Sequence, residues 1–229
     1  TDINVGDDEV ITVSFSSDLN GTVTVVVDDM NYSSSVSGGK AVITIPGLSA
    51  GYKNADVYYS GDVNYNPLLG NVSFAVNKLN PNMPVECNTP VSGENIHIVV
   101  YLPSDATGTV TLALEGKNHT VPVKDGKAVF DIPGLAAGKY NITAYYSGDD
   151  KYSEKTNETV INVILIETWV MAESIEMYEG DGTKFMVTLI DGRERPVAGM
   201  GIKVTIAGKT YTIITDENGT AALPINLKA

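Results

Sequence analysis

Residues 21–66 read GTVTVVVDDMNYSSSVSGGKAVITIPGLSAGYKNADVYYSGDVNYN, and residues 108–153 read GTVTLALEGKNHTVPVKDGKAVFDIPGLAAGKYNITAYYSGDDKYS. The two stretches align without a gap at a constant offset of 87, and half of the aligned positions are identical. A head-to-tail period of this length marks an array of like modules, in which spacing and display are commoner roles than chemistry. Inside the repeat, Val110, Leu112 and Leu114 alternate with Thr109, Thr111 and Ala113, and upstream Ile96, Ile98 and Val100 alternate with His97, Val99 and Tyr101. Period-two alternation is the pattern of a half-buried strand. Gly38-Gly39, Asp125-Gly126 and Asn218-Gly219 each stand between two such runs, where glycine supplies the positive φ of a tight turn.

No segment sustains apolar recurrence at helical spacing. Pro46-Gly47-Leu48 and Pro133-Gly134-Leu135 end a strand and begin the crossing to a second sheet, since proline cannot donate to a ladder. About seven short strands in roughly 85 residues predict an all-β chain of tandem immunoglobulin-like sandwiches. The period places the modules at 1–78, 79–164 and 165–229. The second opens on a candidate strand, Asn82 to Cys87, whose counterpart in the first would precede residue 1, so the first is expected to lack that strand. The third aligns with the second through GKTYTIITDENGTAALPI, residues 208–225, and then lacks the equivalent of two further strands. The expectation is a piece of a longer repeat protein, with an incomplete third module whose open edge could take a strand from another molecule. Lys78-Leu79-Asn80-Pro81 and Ile164-Leu165-Ile166 offer no Gly/Ser slack, which predicts semi-rigid connections.

Composition narrows the function from outside. The 229 residues carry 28 Asp+Glu against 15 Lys+Arg, a formal charge of -13, and the basic residues form no cluster, which argues against a nucleic-acid partner. No apolar run reaches the length of a membrane span and no secretory signal opens the chain, so the chain reads as cytoplasmic or as an excised segment of a longer protein.

The pattern GTVTVxV…GKAxxxIPGLxAGxYxxxxxYSGDxxY resembles the bacterial immunoglobulin-like repeat found in tandem in large adhesin-like surface proteins, especially those of methanogenic archaea. The resemblance covers residues 7–78 and 79–164. The third unit, ERPVAGMGIKVTIAGKTYTIITDENGTAALPI, resembles the related form of invasin-like stalks. What the resemblance implies is a non-catalytic, extracellular stalk or binding segment of an adhesin, with a surface protein or glycan on another cell as partner. The alternative is an accessory stalk of a surface-associated cell-wall hydrolase whose catalytic domain lies elsewhere. Both imply no cofactor and no activity in this chain.

Seven Asn-x-Ser/Thr sequons, at Asn20, Asn31, Asn71, Asn118, Asn141, Asn157 and Asn218, are candidate glycan acceptors. Against this, Asn, Ser and Thr are common in turns and strands of any such chain. Cys87 is the single cysteine, so no intrachain disulfide forms, and its apolar strand predicts a buried structural thiol. The chain has no glutamine, which excludes a Cys-Gln thioester. A Lys-Asn isopeptide staple has no distinct triplet to carry it. Of the two histidines, His119 aligns with Tyr32 and Tyr211, a packing position, and His97 aligns with Val10, with no carboxylate fixed beside it. A metal or catalytic role needs more converging groups than these.

The YYSGDxxY element is the remaining candidate. Tyr59 and Tyr146 share phase with apolar neighbours and should enter the core, while Tyr58 and Tyr145 face outward. Asp62 and Asp149 should accept N–H groups of their own loops, with Tyr65 and Tyr152 closing the corner. The competing reading gives Asp62, or Asp149 with Asp150, to a calcium ion, which requires six or more oxygens.

Overall fold

The computed structural model describes residues 1–16 and 19–225, so the sequence-set end of the third module, 226–229, lies outside the described residues. All regular structure among them is strand. The chain divides into two compact units: Thr1–Thr89 with Ile96–Ile132 and Lys139–Ile161, and Pro90–Asn95 with Pro133–Gly138 and Asn162–Ala229. The first unit thus holds the first sequence repeat and most of the second, and the loops 90–95 and 133–138 group with the third.

In the first repeat, β1 (Ile3–Asn4), β7 (Leu68–Asn77), β6 (Gly51–Tyr59), β3 (Thr22–Val27) and β4 (Met30–Ser35) form one sheet in that order. β2 (Glu9–Ser14) and β5 (Lys40–Ile45) form the facing one. The alternation of each strand turns one row inward: Val23, Val25 and Val27 of β3 meet Ala41, Ile43 and Ile45 of β5, Ala55 and Tyr59 of β6, and Phe74 and Val76 of β7. Full burial of a Val or Ile side chain stabilises by roughly 1.5–3 kcal/mol, which is why this row decides the register.

The second repeat reproduces the plan. β9 (Ile96–Tyr101), β10 (Thr109–Leu114), β11 (Lys117–Pro122), β12 (Lys127–Ile132) and β13 (Gly138–Tyr146) sit at the offset of 87 from β2 to β6, and β14 (Lys155–Val163) starts at the same offset from β7. Its sheets are β11-β10-β13-β14 and β12-β9-β8, where β8 is Val85–Cys87. The expected strand from Asn82 is therefore three residues long, and Met83 before it is buried. The parallel pairing of Asn4 with Asn77 in β1 and β7 recurs as a parallel bridge between Val91 and Ile164.

The second unit carries β15 (Thr168–Ala172), β16 (Lys184–Asp191) and β19 (Thr220–Pro224) in one sheet and β17 (Gly201–Ile206) with β18 (Lys209–Ile214) in another. Val187, Ile213, Ala221 and Leu223 form its core, flanked by half-buried Ile202, Val204 and Ile206. Sequence reading missed one turn in every repeat. Asp28-Asp29, Glu115-Gly116 and Ala207-Gly208 all have positive φ at both residues, the geometry of a two-residue hairpin loop, although the first has no glycine. The Gly38-Gly39 and Asp125-Gly126 turns do form, but each closes a single bridge, Ser37 to Lys40 and Lys124 to Lys127, after which the chain passes to the other sheet. Asn218-Gly219 is part of a longer loop in which Asp216 accepts the N–H groups of Asn218 and Thr220.

Candidate functional site: the tyrosine-aspartate corner and the linker

The YSGDxxY element follows β6 and β13, and its fate is set by alternation at the strand ends. Tyr59 and Tyr146 are buried and Tyr58 and Tyr145 are exposed, as their phase requires. In the second repeat the Tyr146 hydroxyl donates to Asp149 Oδ2 at 2.9 Å. The same oxygen accepts from Thr107 N at 2.7 Å, while Asp149 Oδ1 accepts from Lys151 N and Tyr152 N at 2.9 and 2.7 Å. In the first repeat Asp62 accepts from Asn20 N at 3.0 Å, Asn64 N at 2.8 Å and Tyr65 N at 2.9 Å, and the Tyr59 hydroxyl donates to Asn20 O. Each corner thereby ties its turn to the residue two before the central strand β3 or β10. Ser60 and Ser147 add a second tie, their hydroxyls accepting Thr22 N and Thr109 N. Glycine is required between them: a Cβ on Gly61 or Gly148 would fall 2.7 Å from Tyr65 O or 2.8 Å from Glu154 N.

This hydrogen bonding sets the charge. Burial pushes the Asp149 carboxyl upward, but the N–H groups of Thr107, Tyr152 and Lys151 and the Tyr146 hydroxyl outweigh it and leave it at about 2. Burial, with the bond to Asp149, pushes the Tyr146 phenol above its ordinary value. Asp62 is held low by the N–H groups of Asn20 and Asn64. These carboxylates serve backbone donors. Asp150, the third residue of the calcium reading, is exposed beside Asp149, and the described residues hold no group of three or more acidic, His or Cys side chains placed for a metal.

The two corners differ at their last tyrosine. Tyr152 is buried, with its hydroxyl on Asp105 Oδ1 at 2.7 Å, and Lys151 Nζ reaches Asp105 Oδ2 at 2.6 Å. Tyr65 is exposed. The incoming chain is seated beside Tyr152. β7 ends at Asn77, and Leu79 N already donates to Lys151 O at 2.9 Å while Leu79 forms a parallel bridge with Tyr152. Lys78 Nζ donates to Asp149 O, Ser153 N to Leu79 O, and Asn157 Nδ2 to Met83 O. The connection between repeats is therefore one residue long, and the corner is its socket.

A second stitched segment lies in the second unit. Arg193 contacts both oxygens of Glu94, at 2.5 and 2.6 Å, and Arg195 joins Glu94 at 3.0 Å and Asp191 at 2.8 Å. The guanidinium groups of Arg193 and Arg195 hold the Glu94 carboxyl below the usual range. None of these residues was singled out in the sequence, where Glu94 and Arg193 stand 99 positions apart.

The remaining candidate residues lie apart from one another. His97 Nδ1 lies 2.8 Å from Asp131, a cross-strand neighbour, so it does have a carboxylate partner, on an open sheet face. His119 is half-buried, like Tyr32, whereas Tyr211 is exposed. Cys87 is half-buried at a sheet edge, in place of the expected buried thiol, and burial still pushes its thiol up, away from the reactive thiolate. The Asn side chains of six sequons, at Asn20, Asn31, Asn71, Asn118, Asn141 and Asn218, are exposed, while Asn157 is half-buried on Met83. Lys53 is buried, ion-paired with Asp28 at 2.5 Å and bonded to Ser49 at 2.9 Å.

Residues 85–164 match the family of bacterial Ig-like domains (group 3). With seven strands in two facing sheets in each of the first two repeats, the chain is an all-β array of Ig-like sandwiches. No curated protein matches the sequence. Among solved structures, the chain is similar to a Ca2+-stabilized adhesin with which an Antarctic bacterium binds ice, at 16% identity and a TM-score of 0.31, over 96% of this chain and 61% of that one. It is similar to the fibronectin(III)-like modules of Clostridium thermocellum CbhA at 16% identity and a TM-score of 0.28, over 72% of this chain and 90% of that one. It is also similar to an amphioxus IgVJ-C2 molecule at 17% identity and a TM-score of 0.38, over 70% of this chain and 98% of that one.

Two outcomes follow from the geometry. A carboxyl held near 2 contributes stability that is fully present above its ordinary value near 4 and is lost as pH falls between the two. Asp149→Asn should therefore cost about 1–3 kcal/mol at neutral pH by leaving N–H donors poorly served, and its difference from the parent should vanish as pH falls toward 2. Denaturant titrations across that range check this, and a difference constant with pH would refute it. Glu94→Ala should lower the melting temperature of the second unit at low ionic strength, and about 1 M salt should erase the difference, as calorimetry would show.

Proposed function

We propose that the chain is a non-catalytic stalk or binding segment of a cell-surface, adhesin-like protein, built to hold a binding tip away from the cell or to adhere through its own loops. The observation that carries the reading is the one-residue connection: Lys78 alone separates β7 from Leu79, which is already hydrogen-bonded to the corner of the next sandwich. A flexible tether would waste conformational entropy each time a tip was presented, whereas a stitched connection has lost it once, on folding. The perturbed carboxylates of both corners are consumed by backbone donors, which is structural use of groups that a catalytic site would keep available to substrate.

The reading extends to an outer surface, archaeal in the family form that the repeat resembles, with a surface protein or glycan of another cell as partner. The six sequons with exposed Asn side chains are the acceptors for any glycan, and Asn157, whose amide nitrogen is spent on Met83, is not among them. Antibodies raised against the chain should label intact cells that carry the protein, and brief external protease should remove the label. Labelling only after permeabilisation would contradict the proposal.

A further inference from the structure

The sequons of the first two repeats are not shared between the two sheets. Those that fall on strands are Asn31 on β4, Asn71 on β7, Asn118 on β11, Asn141 on β13 and Asn157 on β14, all in the β1-β7-β6-β3-β4 sheet or its counterpart β11-β10-β13-β14. The facing sheets, β2-β5 and β12-β9-β8, contain none. Register aligns the acceptors further. Asn31 stands opposite Val26, Val26 opposite Asp56 and Asp56 opposite Asn71, which puts both asparagines in one row of the outward face. In the next row of that face Tyr58 stands between Thr24 and Leu69, and Tyr58 and Leu69 are 42 and 78% exposed. The second repeat has the same arrangement. Asn118 stands opposite Ala113 and Ala113 opposite Thr143, with Asn141 two residues before Thr143 and the exposed Tyr145 two residues after it. Asn141, Thr143, Glu158 and Val160 line a shallow depression there.

We propose that the outward face of this sheet is glycan-bearing in both repeats, with Asn31, Asn71, Asn118 and Asn141 as N-linked acceptors whose first sugars pack on Tyr58 with Leu69 and on Tyr145. The inference rests on the cell-surface reading above and goes beyond it by assigning the sugar to one face. The four amides are available: among the described residues none of these Asn side chains makes a hydrogen bond, whereas Asn157 spends its nitrogen on Met83 O. In the transfer, the Asn amide nitrogen bonds to the anomeric carbon of a sugar-phosphate donor. The bond from that carbon to the phosphate oxygen breaks, the phosphate leaves with the electron pair, and the amide releases one proton. An exposed Tyr ring offers an apolar, electron-rich surface to the C–H groups of a pyranose, and the exposed Asp56 between the two acceptor strands accepts from its hydroxyls. An occupant also accounts for large apolar side chains held in the open on a regular sheet face. The consequence is sidedness: the outward faces of β2-β5 and β12-β9-β8, which expose Val10, Val42 and Val129, stay bare of sugar.

Site-resolved glycopeptide mass spectrometry on the protein isolated from the cells that make it, followed by hydroxyl-radical footprinting, tests this. The expected result is sugar on Asn31, Asn71, Asn118 and Asn141 with Asn157 bare. Tyr58 and Tyr145 should then oxidise severalfold more slowly than in a variant from the same cells carrying N31Q, N71Q, N118Q and N141Q. Sugar confined to Asn20 and Asn218 would overturn the face assignment, and equal oxidation rates in parent and variant would overturn the packing on the tyrosines. Four bare asparagines on a protein that antibodies label on intact cells would overturn this inference alone, whereas labelling only after permeabilisation would overturn the surface reading beneath it.

Discussion

The Asp149 carboxylate accepts backbone N–H groups from Thr107, Lys151 and Tyr152 at 2.7, 2.9 and 2.7 Å, and the second repeat is organised around that convergence. Three donors on one partly buried anion are worth more than the same bonds spread over neutral acceptors, because charge-assisted bonds are the stronger kind and an unserved buried N–H is costly. The turn is fixed by two of them and the start of β10 by the third. Once the turn is fixed, the carbonyls of Asp149 and Lys151 point outward as acceptors, and the incoming chain takes both, through Lys78 and Leu79. A loop that looks like a ligand site in sequence is thus the joint of the array.

The legible part of the fold came from periodicities local to each strand. Alternation identified the inward rows of β9 and β10, and the same phase rule put Tyr59 and Tyr146 inside and Tyr58 and Tyr145 outside. Repetition supplied the rest, since every strand start from β9 to β14 is a copy of one 87 residues earlier. What escaped reading depends on register or on distance along the chain. His97 meets Asp131 only because β9 and β12 pair with those two residues opposed. Tyr152 meets Asp105 across 47 positions, and Lys53 meets Asp28 across 25. Cys87 was expected inside a six-residue strand, but the strand is three residues at an edge, with Met83 taking the buried place. The Asp28-Asp29 turn carries no glycine, so positive φ there could not be inferred from residue type.

Among the described residues, Thr215 holds the start of β17 in the third repeat. Thr215 is buried and uses both its hydroxyl and its backbone groups to close the start of β17, the task that Ser147 and Asp149 perform for β10. The glutamate-arginine cluster of Glu94, Arg193 and Arg195 does for the second unit what the corner carbonyls do for the first, joining segments that belong to successive sequence repeats. One joint uses backbone carbonyls that salt does not screen, and the other uses half-exposed ions that it does.

The first unit is expected to tumble as one body, because the chain between its two sandwiches has no slack to bend. Backbone amide relaxation by NMR measures this. Amides of the first repeat and those of β9 to β13 should fit a single rotational diffusion tensor, with Lys78 and Leu79 as ordered as the strands they join. Two independent tensors, with fast local motion at Lys78 and Leu79, would contradict it.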